Sequence, residues 1–239
     1  SYAVSDDLGV SARIHINSKA PDFNFQLFQS DYLSYNWRNN FRNQQTKQLA
    51  ISVDSKKYGN FLIEYNTVSN YLYFAKNNDA VVKPFQYTGT LNYVRAKFSN
   101  EINYKKFALN NTILFQSVFD GDQVLNVPNL VSRHTFYYSN EFFKKALFLQ
   151  TGVTLSYFSS YKMNAYDPLL SEFYTQNNTE IGDFPRIDFF VNAKISQARI
   201  FLKAEHFNSA ITGYDYYSAP NYPYRDFVVR FGIVWNFFL

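Results

Sequence analysis

From Phe227 to the end, every second residue is large and apolar: Phe227, Val229, Phe231, Ile233, Trp235, Phe237 and Leu239. The interleaved set, Asp226, Val228, Arg230, Gly232, Val234, Asn236 and Phe238, is mixed. Side chains alternate between the two faces of a strand, so this pattern predicts a long strand with one greasy and one mixed face. Such a strand fits the core of a β-sandwich, or a membrane strand with its greasy face to lipid.

The same period of two recurs upstream. In "VSARIHIN" the apolar set is Val10, Ala12, Ile14 and Ile16, and in "NFLIEYN" it is Phe61, Ile63 and Tyr65. "ALFLQTGVTLSYF", "RIDFFVNAKIS" and "ARIFLKAEH" behave alike. Strands are predicted at about 8–17, 22–37, 46–55, 60–74, 86–98, 105–118, 130–141, 145–159, 185–195, 197–207 and 226–239. Asn92 and His134 each spoil one face of their segments. No amphipathic helix and no separate second domain is predicted.

The connections sort by length. Short ones are expected at 18–21, 56–59, 99–104, 142–144 and 196, and long ones at 38–45, 75–85, 119–129, 160–184 and 208–225. That rhythm is the habit of outer-membrane barrels, with short periplasmic turns and long external loops. A sandwich has no reason to sort its loops this way. On the cleanest strands, Arg13, Glu64, Lys194, Arg199, Lys203, Glu205 and Arg230 all fall on the mixed face, as a lumen lining requires. The expectation is an all-β, antiparallel transmembrane β-barrel with about eleven strands in this chain.

Composition sharpens this reading. Tyr and Phe number 21 and 26, yet no window holds the long apolar run of a spanning helix. With no Cys, disulfides, thiolate metal sites and a catalytic thiol are excluded. The net charge of +4 is scattered, which does not support a nucleic-acid partner. His15, His134 and His206 lack ligand spacing, no Ser-His-Asp order appears, and "DGD" at 120–122 reads as a turn. No enzyme activity, metal or cofactor is expected.

The ending also carries a motif. Arg230-x-Gly232-x-x-Trp235-x-Phe237 resembles the C-terminal assembly signal of outer-membrane barrels, with Phe238 and Leu239 beyond it. "FQSDYLSYNWRNNF", "VLNVPNL", "FFKKALFLQTGVTLSYFSSYKMNAYDP", "IDFFVNAKI", "FLKAEHFN" and "SAPNYPYRDFVVRFGIVWNFFL", in that order, resemble the C-terminal part of the "putative porin" β-barrel family of Bacteroidota. The resemblance implies residence in the outer membrane of a Gram-negative cell, contact with its lipid and with the barrel-assembly machinery, and passive diffusion of small solutes. The alternative is a non-conducting barrel subunit beside other outer-membrane proteins. Single-chain bacterial barrels have an even strand count, so eleven strands imply part of a larger barrel. The rhythm also puts residues 1–7 on the long-loop side.

Overall fold

The computed structural model describes residues 2–5, 7–213 and 216–235. Strands β1 (Tyr2–Ser5) and β2 (Leu8–Lys19) open the chain, followed by a long connection holding helix α1 (Phe23–Gln26), β3 (Leu27–Phe28) and β4 (Trp37–Arg38). Next come β5 (Gln44–Ser55) and β6 (Gly59–Ser69), then the loop hairpin β7 (Leu72–Lys76) and β8 (Val82–Gln86). Strands β9 (Thr90–Tyr104), β10 (Phe107–Asp120), β11 (Leu130–Phe142) and β12 (Leu147–Phe158) follow. After the loop pair β13 (Ala165–Asp167) and β14 (Glu172–Tyr174) come β15 (Arg186–Ile195) and β16 (Ala198–Glu205). Helix α2 (Ser209–Thr212), β17 (Tyr217–Ala219), β18 (Tyr222–Pro223) and β19 (Val228–Trp235) complete it.

Eleven of these strands form one antiparallel sheet in the order β1-β2-β5-β6-β9-β10-β11-β12-β15-β16-β19, with each strand beside its sequence neighbour once the loop hairpins are set aside. Among the described residues, β1 and β19 are not paired with each other, so the sheet is an open section of wall.

The register makes the faces continuous. One row runs Ala12–Ile51–Ile63–Ala96–Phe115, and another runs Phe136–Val153–Phe189–Ala204–Val229. This outer face is apolar and uncovered: Ile14 is 74% exposed and Phe231 is 80% exposed. A sandwich would cover such a face with a second sheet. Patches this large mark contact with a membrane or another protein. The other, inner face carries the polar set, and the long loops pack against its upper end. There Val68, Leu91 and Val124 are buried beneath Tyr71, Tyr73, Tyr87, Tyr93 and Leu125.

Several predicted boundaries are corrected. Residues 22–37 are not a sheet strand but part of a loop from 20 to 43, because Pro21, the Asn side chains and the stacked Phe28 and Trp37 fold it on itself. The eleventh strand is instead β1, and Lys56 N–H donates to the Asp7 carbonyl, so the β1–β2 turn lies with the short turns. Residues 99–104 extend β9, and the turn there is only Lys105 and Lys106. The corrected rhythm is regular, with short turns at 56–58, 105–106, 143–146 and 196–197. Gly59 closes the first of these with φ 98°, where a Cβ would lie 2.3 Å from the Ser99 carbonyl.

Three polar residues that share one row of the outer face satisfy one another. Asn111 Nδ2 donates to Asn100 Oδ1 at 3.0 Å, and His134 Nδ1 lies 2.7 Å from Asn111 Oδ1. The ring and amide positions stand opposite one another in the ladder, so these three polar groups find partners amid apolar neighbours.

The two faces predict opposite tolerances. Ile113→Lys, at mid-strand on the outer face, is expected to cost about 2–4 kcal/mol in lipid. Asn110→Lys, on the exposed inner face of the same strand, should stay within about 0.5 kcal/mol of the parent. Urea unfolding of the two variants in lipid vesicles checks this.

Candidate functional site

The ladder places all seven charges expected in the lining, Arg13, Glu64, Lys194, Arg199, Lys203, Glu205 and Arg230, on the inner face. It does not gather them into one ring. Arg13 stands alone on β2, beside Ala50. Glu64 pairs across β6 and β9 with Arg95 at 3.6 Å. Lys194 and Arg199 face each other directly across β15 and β16.

Lys203, Glu205 and Arg230 form the centre of a larger constellation at the long-loop end. Glu205 is buried, and its carboxylate lies 2.9 Å from Lys203 Nζ, 2.5 Å from Arg225 Nη2 and 3.2 Å from Arg230 Nε. Lys203 also reaches Asp188 at 3.2 Å. A carboxylate this deep is held ionised only because cations and hydrogen bonds surround it. Asp188 Oδ1 in turn accepts the backbone N–H of His206 at 2.9 Å. The buried His206 places Nδ1 2.9 Å from the Arg225 carbonyl, so that nitrogen carries the proton. The Tyr216 and Tyr224 rings pack edge-on against it.

This constellation pins the 206–227 loop to the wall, and the other long loops are tied to it and to one another. The Phe184 ring meets Tyr216 at 4.3 Å, and Arg186 donates to the Tyr224 hydroxyl at 2.6 Å. The Thr175 N–H donates to the Phe74 carbonyl at 2.7 Å, joining the β14 region to β7. The Tyr35 hydroxyl donates to Asp167 at 2.9 Å, and Asn24 donates to Glu172. Burial and then this Asp167 bond hold the Tyr35 hydroxyl above its ordinary pKa. Asn126 Nδ2 reaches the Gln176 carbonyl at 2.9 Å. Five loops therefore make one cap over the upper inner face.

Asp188, Arg95 and Arg225 were not among the expected lining residues, although Asp188 falls on the mixed face of "RIDFFVNAKIS". Asp188 and Arg95 follow from the alternation once the strands are placed. Arg225 lies in a loop, where period carries no information. Gly232 and Trp235 of the C-terminal motif lie on opposite faces of β19, Gly232 inward and Trp235 outward across from Ala198. Phe237 lies outside the described residues.

A greasy outer wall, a charged inner face and sorted loops describe a membrane barrel wall. A model of the family described as "Putative porin" matches residues 1–239. The chain belongs to that family. No curated protein matches its sequence. The crystal structure of the siderophore receptor PirA from Acinetobacter baumannii is similar in fold, with a TM-score of 0.60 at 8% identity. The match covers 97% of this chain and 39% of that receptor's, so this family member spans about two fifths of the receptor's length. The fold is that of an antiparallel transmembrane β-barrel, with its described strands forming an unclosed section.

Removing the buried acid should free the cap. Glu205→Gln leaves Lys203, Arg225 and Arg230 without their shared carboxylate. Amide hydrogen exchange in residues 206–227 is expected to speed up about tenfold, which corresponds to about 1.4 kcal/mol of local opening. Exchange in the β5–β6 hairpin should not change.

Proposed function

We propose that the protein is an outer-membrane barrel of a Gram-negative, Bacteroidota-type cell that lets small solutes diffuse passively through its lumen. The single observation that supports this most is the sorting of side chains by the ladder, apolar outward and charged or amide-bearing inward. Water on the inner face solvates the unpaired Arg13, Lys97, Arg133, Lys194 and Arg199, while the loop cap limits size. Selectivity in such a pore comes from the charges that line it.

The open edges support a further part of this reading. An unpaired strand edge in lipid leaves backbone groups unsatisfied at several kcal/mol each. Additional strands must therefore pair with β1 and β19, and the described section acts as the C-terminal part of a larger, even-stranded barrel. Arg230, Gly232, Trp235 and Phe237 then serve as the signal read by the barrel-assembly machinery.

A non-conducting subunit is the second reading. The Asn100–Asn111–His134 ladder on the outer face favours it, because polar groups at membrane depth commonly meet a protein neighbour.

Single-channel recording of the full-length protein in a planar bilayer tests the first reading. Stable conductance steps are expected, and neutralising Arg199 and Lys203 should shift ion preference toward cations. Silence from correctly folded barrels favours the subunit reading. Trp235→Ala is expected to lower the amount of protein inserted in the outer membrane severalfold, seen as loss of the heat-modifiable band in membrane fractions. Unchanged insertion would remove the signal from the proposal.

A further inference from the structure

The inner face at the short-turn end has a charge imbalance that the cap does not resolve. One ladder row runs Phe148–Lys194–Arg199–Val234 across β12, β15, β16 and β19, and the next runs Gln150–Asn192–Phe201–Gly232. Along them lies an open pocket of about 460 Å³, whose lining includes Phe148, Asn192, Lys194, Arg199, Phe201 and Val234. Gly232 lets the Phe201 ring lie against the backbone of β19: a Cβ there would be 2.5 Å from that ring.

Like charges directly opposite each other on a sheet are destabilising. Among the described residues, neither Lys194 nor Arg199 has an acidic partner. Glu205 is six residues up the same strand as Arg199, roughly 20 Å away, and is taken by Lys203, Arg225 and Arg230. Glu141 shares the row but stands two strands from Lys194, about 10 Å away, and faces Lys145 at 3.8 Å. The neighbouring β11–β12 turn adds Lys144, beside the Lys145 that faces Glu141. A low-dielectric wall with one sign of charge concentrates counter-ions.

The flanking groups narrow the ligand. Phe148 and Phe201 are each 40% exposed, and both belong to the inner face. The guanidinium presents a planar fork that matches a carboxylate, and the lysine adds a point charge. Asn192 and Gln150, 3.4 Å apart, offer amide groups beside them.

We propose that Lys194 and Arg199, with Phe148 and Phe201, form a binding site for small organic carboxylates with an apolar body at the short-turn mouth of the barrel. The inference rests on the reading of the inner face as a solvated lumen, and it names the solute class that this lumen favours. Binding needs no net flux, so it can be measured separately from conductance.

The probe is 3-phenylpropionate, titrated calorimetrically into the full-length protein in detergent micelles at low salt. Saturable binding is expected, at least about tenfold tighter than that of 2-phenylethylamine or acetate. The double variant Lys194→Gln/Arg199→Gln should lose at least about tenfold in affinity. Removing two opposed like charges should not hinder folding, which heat-modifiability on gels verifies. Arg199→Lys keeps the charge without the fork and should lose severalfold. Equal binding of the amine or of acetate, or undiminished binding by the double variant, overturns the site. Conductance steps without phenylpropionate binding overturn this inference alone, whereas binding without conductance overturns the open pore alone.

Discussion

The register of the backbone ladder is the constraint on which everything else depends. A slip of one residue between any two strands would turn a greasy row inward and a charged row outward. In lipid that error is costly, because both the displaced charges and the unpaired amides lose their solvent. The rows from β2 to β10 and from β11 to β19 show how strictly the period of two is kept. At Asn100, Asn111 and His134, three polar residues of the outer face are neighbours in one row and answer one another's hydrogen-bonding needs. The arrangement works only because the register brings them side by side.

The inner face obeys a different logic. Its charges need not cancel pair by pair where water can reach them, and they separate into two zones. At the long-loop end the buried acids Asp188 and Glu205 collect the half-exposed Lys203, Arg225 and Arg230 into one knot. At the short-turn end Lys194 and Arg199 are left without an acid among the described residues. One strand, β16, spans both conditions, with its carboxylate at one end and its guanidinium at the other.

The strands were legible in the sequence because lipid on one side and water on the other impose a strict alternation. Val10 to Ile16 and Leu147 to Leu155 could be assigned to faces by parity alone, and so could all seven expected lining charges. The loops carried no such signal. Residues 22–37 look like a strand because they are rich in Phe, Tyr and Trp, yet those rings stack on each other and on Phe74 within the cap. The β9–β10 turn was misplaced because Asn100, Asn103 and Tyr104 look like turn residues, whereas the chain reverses only at Lys105, whose φ is 53°. Arg225 was invisible because its role depends on a loop returning to the wall.

The cap joins residues that are very distant along the chain: Asn24 with Glu172, and Tyr35 with Asp167. Its last component, the 206–227 loop, is anchored partly through Arg230, which belongs to the final strand. A chain emerging in order can bring these partners together only after the wall between them has been laid down. The knot around Glu205 closes when β19 docks, so the finishing of the wall and the fastening of its lid become a single event, and a half-built barrel keeps an unfastened mouth.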